Sequence, residues 1–284
     1  MLLGLVLLLI LLVAVGAGLV GSLAGLGGGV VLVPVLVILF GVPFPYAVGA
    51  SLIAVLATSI TTGSTYLQER LANLRIGMFL EIATVPGALL GATLILVLVN
   101  HNLEPALLVA FGALLLLSIP GSLTLRREEL PQGVEPDGWS RKLHLEGSYH
   151  DERLGREVHY RAGRTPLTLG LMAGAGVVSA LFGIGGGVVK VVALEKEMRL
   201  PMKVSTATSN FMIGVTVAAG ASILLLAGYV NPVLAAPVAV GTAIGAYFGS
   251  LLLPRLTNRQ VRWIFIPILA ILAIELILQG VGLP

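Results

Sequence analysis

Ala17-Gly18-Leu19-Val20-Gly21-Ser22-Leu23-Ala24-Gly25-Leu26-Gly27-Gly28-Gly29-Val30-Val31 is answered 158 residues later by Ala175-Gly176-Val177-Val178-Ser179-Ala180-Leu181-Phe182-Gly183-Ile184-Gly185-Gly186-Gly187-Val188-Val189. Most of these positions are identical. Without a gap, the same offset places Pro43 on Pro201, Ser51 on Ser209, Asn73 on Asn231 and Thr84 on Thr242, and Gly87, Ala88 and Gly91 on Gly245, Ala246 and Gly249. A constant offset over so long a span marks the chain as a duplication of one unit.

The composition says where that unit lives. Of 284 residues, 57% are hydrophobic and 11% charged, against roughly a quarter charged in a soluble domain. Residues 122–165 hold 16 of the 31 charges, so what remains is apolar enough for lipid. Measured against the ~20 residues that cross the hydrocarbon core, the apolar runs are 2–24, 28–41, 46–67, 76–99, 104–121, 166–182, 186–194, 205–226, 232–253 and 262–280. That is five per unit. At ~1.5 Å per residue, 186–194 spans about half of a bilayer core and cannot cross alone. Residues 2–15 resemble a signal-peptide core, but no basic residue precedes them and a related segment recurs in mid-chain, so they are read as mature structure.

An odd number of segments turns the second unit upside down relative to the first, and the charges agree. Loops 68–75, 122–165, 195–203 and 254–261, with Arg262, fall on one side by parity and carry 16 of the 17 Lys and Arg. The opposite loops, 42–45, 100–103 and 227–231, carry none. The positive-inside rule makes the basic side cytoplasmic and puts both termini outside. The net charge of +3 therefore reports topology, and a nucleic-acid partner is not expected. The organisation is a first transmembrane repeat, 1–121, a cytoplasmic polar loop, 122–165, and a second repeat, 166–284. Partial alternation of apolar and polar residues on either side of 151–155 suggests a β-hairpin in that loop. Its eight basic and eight acidic residues cancel, and His144, His150 and His159 read as a solvated face rather than a metal site.

The glycine elements fall where a long apolar segment meets a short one, and a run of glycine there breaks the helix. Broken backbone at membrane depth is tolerated only inside protein or beside a water-filled cavity, and paired breaks point to a transporter's binding site. Gly27, Gly28, Gly29, Gly185, Gly186 and Gly187 are therefore candidate ligand contacts: positive φ, free N–H groups and a helix dipole suit an oxyanion. The alternative is tight helix packing. Lys190 follows the second element, at the position Leu32 holds in the first. It is either an anion ligand or a lysine that snorkels to the cytoplasmic face. Ser51 and Ser209, matched by the offset, and Asn210 are candidate lining groups or ordinary helix-start and interhelical hydroxyl and amide groups. Thr58, Thr61, Thr62 and Ser64 form a polar stripe. Glu81 and Glu275 are the acids well inside apolar segments; Glu81 is a candidate proton carrier, or a partner of Arg75. Gly87-x-x-x-Gly91 and Gly241-x-x-x-Gly245-x-x-x-Gly249 read as packing faces.

Enzyme classes lack their residues. There is no cysteine, aspartate occurs only at 137 and 151, and His101 is the sole histidine outside the central loop. Aspartyl, Ser-His and metal-dependent chemistry are not expected, nor is any catalytic residue, resident metal or organic cofactor. The expected partners are a small anion and the lipid bilayer.

The paired Gly-(Leu/Ile)-Gly-Gly-Gly elements, the stretch Leu200-Pro201-Met202-Lys203-Val204-Ser205-Thr206-Ala207-Thr208-Ser209-Asn210 and Asn231-Pro232 resemble the sulfite exporter TauE/SafE family of membrane permeases. The resemblance spans both halves. It implies a multi-pass transporter of the prokaryotic inner membrane that carries small sulfur-containing anions such as sulfite or organosulfonates. The expected fold is an all-α polytopic membrane protein of two inverted five-segment repeats, whose glycine-rich broken, re-entrant helices meet near the midplane. The expected activity is alternating-access export of a small oxyanion. The alternatives are a passive anion channel and a permease for another small organic anion.

Overall fold

A backbone in hydrocarbon must satisfy its own N–H and C=O groups, so apolar runs of this length have the α-helix open to them. The computed structural model describes residues 2–24, 27–68, 71–124, 135–151, 155–252 and 258–282. Gly25, at the head of the first glycine element, and the loop stretches 125–134 and 253–257 lie outside the described residues. The first half forms α1 (Leu2–Ala24), α2 (Gly29–Phe40), α3 (Phe44–Gln68), α4 (Leu74–Asn100) and α5 (Glu104–Thr124). The polar loop holds a short α6 (Gly138–Lys142) and strands β1 (Glu146–Asp151) and β2 (Arg156–Arg161). The second half forms α7 (Thr165–Phe182), α8 (Gly187–Val192), a π-helical turn (Ala193–Glu197), α9 (Met202–Leu226), α10 (Pro232–Leu252) and α11 (Asn258–Val281).

Among the described residues, six helices are long and apolar enough to cross a membrane: α1, α3, α4, α7, α9 and α10. Their outward faces carry large apolar side chains, with Ile82 70% and Leu226 85% exposed. Bare apolar surface on this scale is stable only against lipid. The chain is an all-α polytopic membrane protein.

Packing follows the small residues. Helix α1 lies on α10 and α7 on α4, while α3 packs on α10 and on α9, and α9 on α4. A Cβ at Gly87 or Gly91 would strike the carbonyl oxygens of Ala173 and Val177. Adding 158 to each glycine and subtracting it from each partner gives Gly245 with Val15 and Gly249 with Leu19, and these pairs are also in contact. Gly176 against Thr84 and Gly18 against Thr242 repeat the relation. Each half therefore lends its first helix to the other. Glycine is required because backbone meets backbone here, as the packing reading of these motifs holds. Helix α2 is buried from residue 29 to residue 37, which is why it is apolar all round.

Two ends can be told apart. Asn73 Nδ2 donates to Tyr160 Oη at 3.0 Å, Arg75 Nη1 to the His144 carbonyl at 3.3 Å, and the Gly163 amide to the Met198 carbonyl at 3.2 Å. Arg164 pairs with Glu197 at 3.3 Å. The described parts of loops 68–75, 122–165 and 195–203 thus share one end of the bundle. At the other end of α3, the rings of Tyr46 and Tyr229 meet at 5.2 Å, which brings the start of α3, just after loop 42–45, to loop 227–231.

The central loop is more ordered than its charge suggests. Asp137 caps α6, accepting from the Ser140 amide at 2.8 Å, and also holds the start of α7 through the Thr165 amide at 2.5 Å and hydroxyl at 2.8 Å. Partial burial pushes its carboxyl up, but these hydrogen bonds outweigh that and hold it below the usual carboxylate range. The hairpin is antiparallel, with Tyr149 opposite Val158 and Gly147 opposite Tyr160. Its polar face, with His150 and His159, is exposed. Its inner face, Tyr149, Val158 and Tyr160, packs with Ile76, Leu80, Leu194 and Met198 over the end of the bundle.

Candidate functional site

Both glycine elements adopt backbone that other residues avoid. Gly27 and Gly28 have φ of 75° and 80°; Gly183, Gly185 and Gly186 have 70°, 74° and 67°. Gly28 then opens α2 and Gly186 opens α8. A Cβ costs about 1–2 kcal/mol in this left-handed region, so glycine is what lets each helix stop and restart within a few residues. The two elements touch. A Cβ on Gly29 would run into the Gly183 carbonyl. Val55 and Ile213, themselves 158 residues apart, face both Gly27 and Gly185.

Hydroxyls tie the elements to the neighbouring helices. Ser51 Oγ, fully buried on α3, donates to the Gly183 carbonyl at 2.7 Å. Thr58 Oγ1 donates to the carbonyls of Gly27, at 3.1 Å, and Val55, at 2.9 Å. Ser209, the counterpart of Ser51, is equally buried, and its Oγ has no partner among the described residues. By the offset, its partner position is Gly25, outside the described residues. Asn210 is buried and turns its amide to the Thr206 carbonyl at 3.0 Å, while its own carbonyl accepts from Ser59 Oγ at 2.5 Å.

Lys190 is completely buried. Its Nζ donates to Thr216 Oγ1 at 2.5 Å, and Thr216 Oγ1 lies 3.0 and 3.2 Å from the two carboxylate oxygens of Glu81. Thr84 Oγ1 donates to the same carboxylate at 2.6 Å. The lysine and the acid, from α8 and α4, are thus bridged by a threonine of α9. Arg75, considered above as Glu81's partner, turns instead to the hairpin. Glu275 is exposed on α11, and Ser64 is outside the described side chains.

The structure therefore brings Gly29 against Gly183, sets Gly27 and Gly185 against the same Val55 and Ile213, and ties Ser51 to Gly183, while Gly28 and Gly186 face the preceding helix of their own half at Ala17 and Ala175. It joins Lys190 to Glu81 rather than leaving the lysine at the surface. Thr216 and Thr84 are the residues that sequence reasoning passed over. The repeat marks both as matched positions, Thr216 as Thr58 displaced by 158 and Thr84 as Thr242, but it does not mark their charged partners, which match Leu32 and Ala239.

Fold and site together define a helical multi-pass membrane protein with two glycine-broken segments in contact. The profile of the family described as sulfite exporter TauE/SafE matches residues 10–276, and the chain belongs to that family. It is 28% identical over 281 residues to the "Probable membrane transporter protein YunE" of Bacillus subtilis (strain 168), covering 96% of this chain and 98% of that one. It is 27% identical over 243 residues to the "Probable membrane transporter protein YdhB" of the same organism, covering 85% and 88%. No solved structure matches the chain. The protein is a membrane transporter.

Proposed function

We propose that this protein carries a small sulfur-containing oxyanion, such as sulfite or an organosulfonate, across the prokaryotic inner membrane by alternating access, without chemical change to its cargo. The observation that carries the reading is the contact between the two glycine elements at Gly29 and Gly183, with Val55 and Ile213 facing both. A site shared by two halves can open to either side as one half rocks against the other. Gly27, Gly28, Gly29, Gly185, Gly186 and Gly187 offer backbone that an anion can approach closely; Lys190 supplies charge; Ser51, Ser209 and Asn210 line or brace the site. The repeats are inverted, and 165–197 is a re-entrant hairpin. Supporting this, its two ends meet through Gly163 and Met198 and through Arg164 and Glu197.

The described parts of three of the four basic loops meet at one end of the bundle, and the proposed orientation puts that end in the cytoplasm by the positive-inside rule, with both termini outside. An anion leaving a negatively charged cytoplasm gains about 2.3 kcal/mol per charge per 100 mV, so export is the downhill direction. The sulfur chemistry rests on the family. The test is a thermal-shift and flux panel on purified protein with sulfite, thiosulfate, sulfonates and carboxylates, since a ligand of the native state raises its stability. Stabilisation and saturable flux with the sulfur oxyanions support the reading; a response confined to carboxylates overturns the substrate class.

A further inference from the structure

Charge buried in a membrane protein is expensive unless it has a use, and here the chain contains its own neutral version of the site. At the symmetry-related positions, Leu32, 1% exposed, takes the place of Lys190, Ala239 that of Glu81 and Thr58 that of Thr216. There the corresponding helices still pair, α3 on α10 as α9 on α4, with no charge at these positions, and Thr58 binds the Gly27 and Val55 carbonyls. The architecture therefore forms at one of the two related clusters without the charges that Lys190 and Glu81 bring to the other. They are also arranged unlike a closed ion pair, because the Thr216 hydroxyl stands between them, 2.5 Å from Lys190 Nζ and 3.0 Å from Glu81 Oε1.

We propose that Glu81 is a proton-binding site whose occupancy is linked, through Thr216 and Lys190, to that of the anion, so that one proton enters with each anion. With Glu81 ionised, the lysine's charge is already balanced and an added anion meets a neutral cluster. With Glu81 protonated, Lys190 lacks a counter-charge, and the anion supplies it. The proton comes from water on the side the anion enters, bonds to a Glu81 carboxylate oxygen, and returns to water as the anion leaves. Lys190 is an ammonium while it holds the anion. Each ligand raises the other's affinity by the same factor. A dianion moving with one proton still carries one net negative charge, so an inside-negative potential continues to drive it out.

Few other groups compete for this role. Among the described side chains, α7 brings no titratable group to α4 and α3 brings none to this level, while α5 brings Glu104 at the far end of α4. Helix α9 brings Lys203, which lies over the Tyr149 ring at 5.9 Å, and the hairpin brings the phenols of Tyr149 and Tyr160 against Ile76 and Leu80. The π-helical turn brings Glu195, Lys196 and Glu197, the last paired with Arg164; on α4 itself, Arg75 is turned to His144.

The inference rests on the anion reading of Lys190, and its test separates the two. Methanesulfonate and thiosulfate, which do not themselves take up protons between pH 8 and pH 5, are titrated into purified protein by calorimetry in buffers of different ionisation enthalpy. Wild type takes up one proton per anion, and its affinity rises up to tenfold per unit fall in pH. Glu81→Gln, which copies the protonated acid, binds without proton uptake and at pH 8 at least tenfold more tightly. The double variant Glu81→Ala with Lys190→Leu, which copies the uncharged cluster of Ala239 and Leu32, inserts and loses binding. Anion binding in wild type with no proton uptake overturns the proposal. If neither anion binds wild type, the anion reading of Lys190 fails, and infrared titration decides the proton site alone. A protonated carboxyl band that appears between pH 8 and pH 5 and is missing in Glu81→Gln supports it; a carboxylate ionised throughout overturns it.

Discussion

Ser51 donates its hydroxyl to the carbonyl of Gly183 at 2.7 Å, across 132 residues of sequence, so a helix of the first half holds the glycine tip of the second. Ser51→Ala leaves that buried carbonyl without its donor, at a cost of about 1–3 kcal/mol. Unfolding in detergent is expected to shift accordingly, with flux reduced but not abolished. Ser51→Thr, which restores a hydroxyl, recovers part of both. An unchanged unfolding curve for Ser51→Ala would remove the tie from the account.

Bulk at the glycine tips separates site from scaffold. Gly28→Leu and Gly186→Leu force a side chain into the left-handed region at φ of 80° and 67° and are expected to abolish flux while inserted protein remains. In contrast, Gly87→Leu drives a side chain into the Ala173 carbonyl of α7, and it should lower the yield of folded protein. Flux per inserted molecule and size-exclusion profiles of the three variants tell the outcomes apart.

The proposed topology rests on the Lys and Arg of loops 68–75, 122–165 and 195–203, whose described parts meet at one end of the bundle. Single cysteines at Asn100 and Ser148, both exposed, are expected to react with a membrane-impermeant thiol reagent from opposite sides, Ser148 from the cytoplasm. Ser148 is the better choice over its neighbour Gly147, where a Cβ would press on Tyr160 and Asn73. Labelling of both from the same side contradicts the inverted arrangement.

Acid should loosen the joint between the polar loop and α7. Hydrogen bonds from Ser140 and Thr165 hold the Asp137 carboxyl below its usual range, so the stability it contributes is full above the ordinary aspartate range, near ~3.9, and is lost as pH falls through its lower folded value. Hydrogen exchange at the Thr165 amide is expected to accelerate on that acid limb. Asp137→Asn weakens the joint at neutral pH and flattens the dependence.

Much of this was legible because lipid leaves a backbone few choices. Apolar length marked out the crossing helices, and the 158-residue echo carried Ser51 onto Ser209 and one glycine break onto the other. The small-residue motifs at Gly87 and Gly245 read as packing faces, and they pack. The Lys190–Thr216–Glu81 bridge was not legible. Its members come from three helices, Glu81 and Thr216 lying 135 residues apart, and the repeat cannot point to it because the matching positions are Leu32 and Ala239. Sequence neighbourhood instead offered Arg75, one and a half turns away and drawn off by His144. The burial of the hairpin was hidden for another reason: Tyr149, Val158 and Tyr160 sit among so many charges that only the alternation of the strands separates the inner face from the outer.

The most direct measurement is flux of sulfite and thiosulfate through purified protein in liposomes with an imposed inside-negative potential. It compares wild type, Gly186→Leu and the double variant Glu81→Ala with Lys190→Leu. The account predicts saturable flux with counterflow in wild type and background rates in both variants. Wild-type rates in both variants, or no flux above protein-free liposomes in wild type, would contradict it.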